Sequence, residues 1–182
     1  MVLGMYKVYQ KIILACLLLV MTGTVYSQRV TQTINDGWKF SLFEGDASTA
    51  DFDISGWTDV SIPHTWNAKD ADDEIPGYFR GKGWYRKVVT VEELIPEQRV
   101  YLSFEGANQE TNVFVNGTFV GNHKGGYSAF TFDVTDYVHA GRNLIAVSVD
   151  NSHHPDIAPL SADFTFCLLY TSDAADDRIS VD

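Results

Sequence analysis

Val113-Phe114-Val115-Asn116-Gly117-Thr118-Phe119-Val120 reads as two short strands folded back on a tight turn. Asn and Gly are the pair that supplies two successive positive φ angles, which is what a two-residue hairpin turn matching the twist of its strands requires. The antiparallel pair so defined needs neighbours, and the chain on both sides offers them. Residues 85–91, 112–115, 130–134 and 144–149, with Trp38-Lys39-Phe40-Ser41-Leu42 and Val100-Tyr101-Leu102-Ser103-Phe104, alternate apolar and polar residues. Period two is the signature of half-buried strands. Breaks bearing Gly, Asn and Asp separate them at the interval of a sandwich or barrel, not of alternating strands and helices. One short helical turn is expected over residues 135–138, with Thr135 as its cap and Gly141 ending it. Asn116-Gly117-Thr118 also has the form of a glycosylation acceptor, but the turn accounts for Asn and Gly without a glycan.

Length and composition bound the answer. A chain of 182 residues can bury one sizeable core. Aromatic content of 13% with 14 glycines and five prolines suits a β-rich globular domain. The expected class is all-β. The start is set apart: Lys7 and Lys11 precede an apolar run at residues 12–20, and Val25-Tyr26-Ser27 offers a small residue before Gln28. That is the pattern of a signal peptide over residues 1–27, and the apolar run is too short for the roughly 20 residues that span a bilayer. Leu14-Ala15-Cys16 has the look of a lipidation site, yet the apolar run continues past it, so cleavage after Ser27 is expected. The expected location is therefore exported, periplasmic or secreted, with no membrane attachment after signal removal. The net charge of −11 becomes about −13 without that segment. Such an excess of carboxylates argues against nucleic acid and anionic membranes as partners. Only Cys167 remains in the mature part, so no internal disulfide is expected.

Chemistry-bearing clusters are few. Asp70-Ala71-Asp72-Asp73-Glu74 lacks the ordered spacing of a calcium loop and reads as a solvated acidic loop. His153-His154-Pro155-Asp156 lacks further ligands at metal-site spacing, so no metal is assigned. His64, in Pro63-His64-Thr65-Trp66-Asn67, reads as a structural polar group under a loop. No nucleophile elbow, phosphate-cradling glycine loop or zinc-protease motif occurs. The residues alone point to an exported all-β binding module. Trp57, Trp66, Tyr78, Trp84 and Tyr127 are its supply of rings for stacking on sugars, with core packing the competing role for each.

Taken in order, Asp36-Gly37-Trp38-Lys39-Phe40, Ile62-Pro63-His64-Thr65-Trp66-Asn67, Gly83-Trp84-Tyr85-Arg86-Lys87, Phe104-Glu105-Gly106-Ala107, Val113-Phe114-Val115-Asn116-Gly117, His123-Lys124-Gly125-Gly126-Tyr127 and Asp150-Asn151-Ser152 resemble the N-terminal domain of family 2 glycoside hydrolases, of the β-galactosidase-like Bacteroidetes type. The resemblance implies a jelly-roll, galactose-binding-domain-like β-sandwich over residues 28–166. It also implies, elsewhere in a parent enzyme, an immunoglobulin-like domain and a TIM barrel holding both catalytic carboxylates. A barrel takes about 250 residues, so no catalytic residue is assigned here, and Glu105 and Glu110 are read as structural. By the same resemblance Asp163, in Ser161-Ala162-Asp163-Phe164, reaches the hydroxyls of the innermost sugar, and Asn67 and Asp70 are further candidates for the pocket rim. The partners implied are a glycan substrate and the two missing domains. No cofactor is implied for this stretch, and the resemblance allows a divalent or sodium ion in the parent. The alternative is a free-standing secreted carbohydrate-binding module without catalysis. After Phe166 the family pattern stops: residues 167–182 resemble adapter-like read-through, so they are expected to be non-native and the last strand of the sandwich to be missing.

Overall fold

The computed structural model of the chain describes residues 30–69, 78–94, 98–157, 169–170 and 178–181. Their strands are β1 (Val30–Thr33), β2 (Trp38–Leu42), β3 (Thr58–Val60), β4 (Lys82–Val91), β5 (Val100–Phe104), β6 (Gly106–Ala107), β7 (Glu110–Val115), β8 (Thr118–Lys124), β9 (Phe130–Asp133), β10 (Gly141–Asp150), β11 (Leu169–Tyr170) and β12 (Arg178–Val181). A single turn of 3-10 helix lies at Trp66–Lys69. Two antiparallel sheets form, one in the order β3-β2-β4-β10-β7-β8 and the other β1-β12-β5-β9, with β11 and β6 making a small third. The chain passes repeatedly from one large sheet to the other, as the expected sandwich requires.

Strand alternation sorts the side chains between two faces. β4 and β10 pair along ten residues each, from Lys82↔Asp150 to Val91↔Gly141. Their inward residues Tyr85, Val89, Val91, Ile145, Val147 and Val149 join Trp38, Phe40, Val113 and Val115 in one buried cluster with Val100, Leu102 and Phe104 of the facing sheet. Each fully buried apolar side chain of this kind contributes roughly 1.5–3 kcal/mol. The opposite face of β4 is covered as well. Trp84 Nε1 donates to Gly45 O at 3.0 Å, and Arg86 donates to Thr49 O at 2.8 Å and to Phe52 O at 3.4 Å. The Arg86 guanidinium also lies 5.8 Å from the Phe52 ring centroid and 6.0 Å from that of Trp57. A charge buried like this must be matched by fixed acceptors, and here those acceptors fasten the connection between β2 and β3 onto the sheet.

The turn at Asn116-Gly117 has φ of 52° and 81°, the left-handed pair that its sequence anticipates. The Asn116 amide donates to Tyr137 O at 2.9 Å and to Asn143 Oδ1 at 2.8 Å, and its Oδ1 accepts from Leu144 N at 2.9 Å. An internal role in joining β7 to β10 thus occupies the side chain that a glycan would need. The short turn expected here forms at residues 135–137: Tyr137 N and Val138 N both donate to Val134 O, at 2.9 and 3.1 Å. Its cap is Asp133, whose Oδ1 accepts from Thr135 N at 3.0 Å, while Thr135 Oγ1 accepts from Val100 N at 2.9 Å. The Thr135 hydroxyl is engaged elsewhere, accepting from Val100 N and donating to Asp133 Oδ1.

Within residues 167–182, two short strands nonetheless join the sheets. β12 lies between β1 and β5, with Val181 opposite both Val30 and Val100 and Arg178 opposite Thr33 and Ser103. β11 pairs with β6, Leu169 is fully buried, and His64 and Leu169 exchange backbone hydrogen bonds at 3.2 Å. The reason is local. Arg178-Ile179-Ser180-Val181 alternates polar and apolar residues and contains β-branched ones, enough for a four-residue ladder. The acidic, aperiodic run before it had hidden that alternation.

Candidate functional site

The strand registers gather several connections at one end of the sandwich. β4 begins at Lys82 opposite Asp150, which ends β10; Glu110, the start of β7, is opposite both Asp150 and Lys124, the end of β8; and β5 ends at Phe104 opposite Phe130. Residues 78–81, 105–109, 125–129 and 151–157 therefore emerge together.

At their centre is a pair of buried amides. Asn67 and Asn151 are only 3% and 6% exposed. Both Nδ2 groups donate to Phe79 O at 2.9 Å, and Asn151 Nδ2 also donates to Asn67 Oδ1 at 3.2 Å. Asn151 Oδ1 accepts from Gly81 N at 2.8 Å, and Asn151 N donates to Gly81 O at 3.2 Å. Thr65 Oγ1 accepts from Asn67 N at 3.2 Å. An amide side chain is the one neutral group that gives and takes at once, so two of them can fasten three separate segments without burying a charge. Asn67, expected on a pocket rim, is buried with its amide directed at Phe79 O and Asn151. Asp70 and Asp163 lie outside the described residues.

Beside the clasp, the 3-10 turn carries Trp66 over Phe40, with ring centroids 5.5 Å apart and 16° between planes. Gly83 permits this: a Cβ there would sit 2.6 Å from Trp66 Cζ3 and 2.8 Å from Phe40 Cε2. His64 Nδ1 is 2.9 Å from Tyr85 Oη, and its ring is tilted on Phe40 at 4.7 Å. Burial pushes the His64 pKa down. The residue is the structural polar group that the sequence suggested.

A second cluster is ionic. Glu110 Oε1 accepts from Asn122 Nδ2 at 2.9 Å, and its Oε2 lies 3.7 Å from His154 Nε2 and 4.0 Å from Lys124 Nζ, which is 3.6 Å from Asp156 Oδ2. His154 thus faces a carboxylate of the β7–β8 hairpin. Among the described residues no group of three or more His, Cys, Asp or Glu side chains is arranged to hold a metal ion. At the same end of the sandwich, His123 stacks on Phe130 at 4.1 Å, and burial lowers its pKa.

Of the aromatic candidates, Trp84 is buried in the outer-face cluster, Trp57 packs against that cluster, and Trp66 is half-buried on Phe40. Tyr78 is half-buried, and Tyr127 is 55% exposed at the loop end. No motif points to Phe79, which is 45% exposed with its carbonyl at the centre of the clasp. The available signal was a large apolar residue between Gly77 and Gly81, where no strand alternation calls for one.

The family model for the sugar binding domain of family 2 glycosyl hydrolases matches residues 31–158. A β-glucuronidase of Bacteroides fragilis is 35% identical over 153 residues, 82% of this chain and 21% of the relative. A β-galactosidase of Thermoanaerobacter pseudethanolicus is 40% identical over 138 residues, 71% of this chain and 16% of the relative. Among solved structures, the crystal structure of a Bacteroides uniformis β-glucuronidase superposes with a TM-score of 0.73 at 41% identity, covering 85% of this chain and 18% of that one. The chain spans about a fifth of the length of the curated relatives it matches.

Proposed function

The chain belongs to the sugar binding domains of family 2 glycosyl hydrolases, and from that premise we propose that it serves as the N-terminal carbohydrate-binding domain of an exported glycosidase acting on terminal β-galactosides or related glycosides such as β-glucuronides. The observation that carries this reading is the extent of the family match, which takes in the whole amide clasp, Asn67, Phe79 and Asn151, at the loop end. Relatives named for both sugars support the pair of substrates. The start of the sequence, with Lys7 and Lys11 before residues 12–20, supports export.

In this role the domain lends the edge of a sugar pocket whose reacting carboxylates belong to a barrel in the parent. Asp163 is the proposed direct contact, since a carboxylate accepts charge-assisted hydrogen bonds from sugar hydroxyls. Asp70 is a further proposed rim residue, and Asn67 acts through the hydrogen bonds it makes to Phe79 and Asn151. A divalent or sodium ion in the parent is compatible with this reading, and the immunoglobulin-like and barrel domains are its proposed partners. The test is a pair of measurements on the purified chain. Methyl β-D-galactoside or methyl β-D-glucuronide should bind, as read by saturation-transfer NMR, while chromogenic β-galactoside and β-glucuronide should not be turned over. Turnover abolished by replacing a carboxylate of this chain would overthrow the division of labour, and absence of binding to either glycoside would overthrow the binding role.

A further inference from the structure

Phe79 combines features that packing alone does not call for. Its ring is 45% exposed in a loop, yet its backbone is among the most firmly held at this end, because two buried amides donate to its carbonyl at 2.9 Å each. Two residues on, Gly81 has no side chain to keep its neighbours away. The point where a Cβ would stand is 3.2 Å from Phe79 Cε1 and Cζ and 2.9 Å from Glu44 Oε1. Ring and carboxylate therefore converge on one glycine from two different connections of the sandwich. Glu44 Oε1 is oriented there by Lys82 N, which donates to it at 3.2 Å.

An aromatic face on an anchored backbone, with a hydrogen-bond acceptor beside it, is a minimal arrangement for a pyranose. The C–H face of the sugar lies on the ring, and a hydroxyl at the sugar's edge donates to the carboxylate. We infer that Phe79 and Glu44 form a sugar-contacting platform, Phe79 stacking on the C–H face of a pyranoside and Glu44 accepting from one of its hydroxyls. This rests on the sugar-binding reading above and adds to it two residues that neither the sequence motifs nor the family resemblance singled out. The clasp then has a functional consequence, since it fixes the backbone that carries the ring and so reduces the ordering cost of binding.

The test uses the 182-residue chain with methyl β-D-galactopyranoside and methyl β-D-glucuronide as probes, each titrated against the unaltered protein, Phe79→Ala, Phe79→Tyr and Glu44→Gln. Saturation transfer should be strongest on sugar protons of a single face. Phe79→Ala should weaken binding by roughly 3- to 10-fold, in the range of an aromatic contact. Phe79→Tyr should retain binding, and Glu44→Gln should weaken it less than Phe79→Ala. Thermal melts of all variants confirm that each is folded at the titration temperature, which separates lost contact from lost fold. Binding by Phe79→Ala equal to that of the unaltered chain overturns this assignment while leaving the sugar-binding role standing. Failure of the unaltered chain to bind either probe overturns both.

Discussion

Single residues at the loop end act through the hydrogen bonds they complete. Asn151→Ala removes the acceptor for Gly81 N and one of the two donors to Phe79 O, in a place with almost no access to water. A buried donor left unmatched costs about 1–3 kcal/mol, so the melting temperature should fall by several degrees, and an unchanged melt would show that water replaces the amide. Asn151→Asp is not an adequate repair, because it keeps the acceptor but loses the donor and adds a buried charge. Asn67 was visible in the sequence as a polar loop residue. Its role was not, since the partner that defines it is 84 positions away and nothing local in Asp150-Asn151-Ser152 points back to it. Asp46 and Asp53, by contrast, accept backbone hydrogen bonds from residues two positions ahead, the kind of local turn chemistry that a sequence does display.

Strands differ in how much of their partnership their own residues announce. β2 and β5 were legible to the residue, because Trp38-Lys39-Phe40 and Val100-Tyr101-Leu102 carry full alternation on a half-buried surface. β1 has four exposed residues and β3 has three with none buried, so neither has a buried face from which period two could be read. β12 was missed for a related reason, being four residues long behind an acidic run. Deleting residues 167–182 tests whether β11 and β12 support the sandwich. The deletion withdraws Leu169 from a fully buried seat and parts β1 from β5. Loss of a buried leucine alone costs about 2–5 kcal/mol, and the uncovered ladder of β5 invites pairing between copies. The shortened chain should melt lower and elute partly as larger species. A monodisperse shortened chain with the original melt would mean that those strands contribute nothing in solution.

Across the whole molecule, stability should depend on pH in two separate windows. Burial pushes the pKa values of His64 and His123 below the ordinary 6.5, so the unfolded chain takes up these protons first. Their contribution is therefore complete above about pH 6.5 and declines as the pH falls from there through the folded-state values. Asp133, lowered chiefly by its hydrogen bonds from Thr135, acts in the same direction only as the pH drops below the ordinary carboxylate value of 3.8. Thermal melts from pH 8 to 5 should show the first decline, and His64→Gln, although less stable throughout, should show a shallower one. Equal slopes would remove His64 as a source. The register of β12 has one more consequence. Val30 and Val181 face each other as ladder partners, about 5 Å apart at Cα, at the Val100 end of β5, whereas Phe79 and the amide clasp belong with the opposite end. A few glycines joining those two positions would close the backbone into a ring, and fresh termini could then be opened at the Asn116-Gly117 turn, also remote from the clasp. Such a circular permutant should keep the amide clasp and its loops intact while letting the domain be grafted, by a new pair of ends, onto an unrelated scaffold.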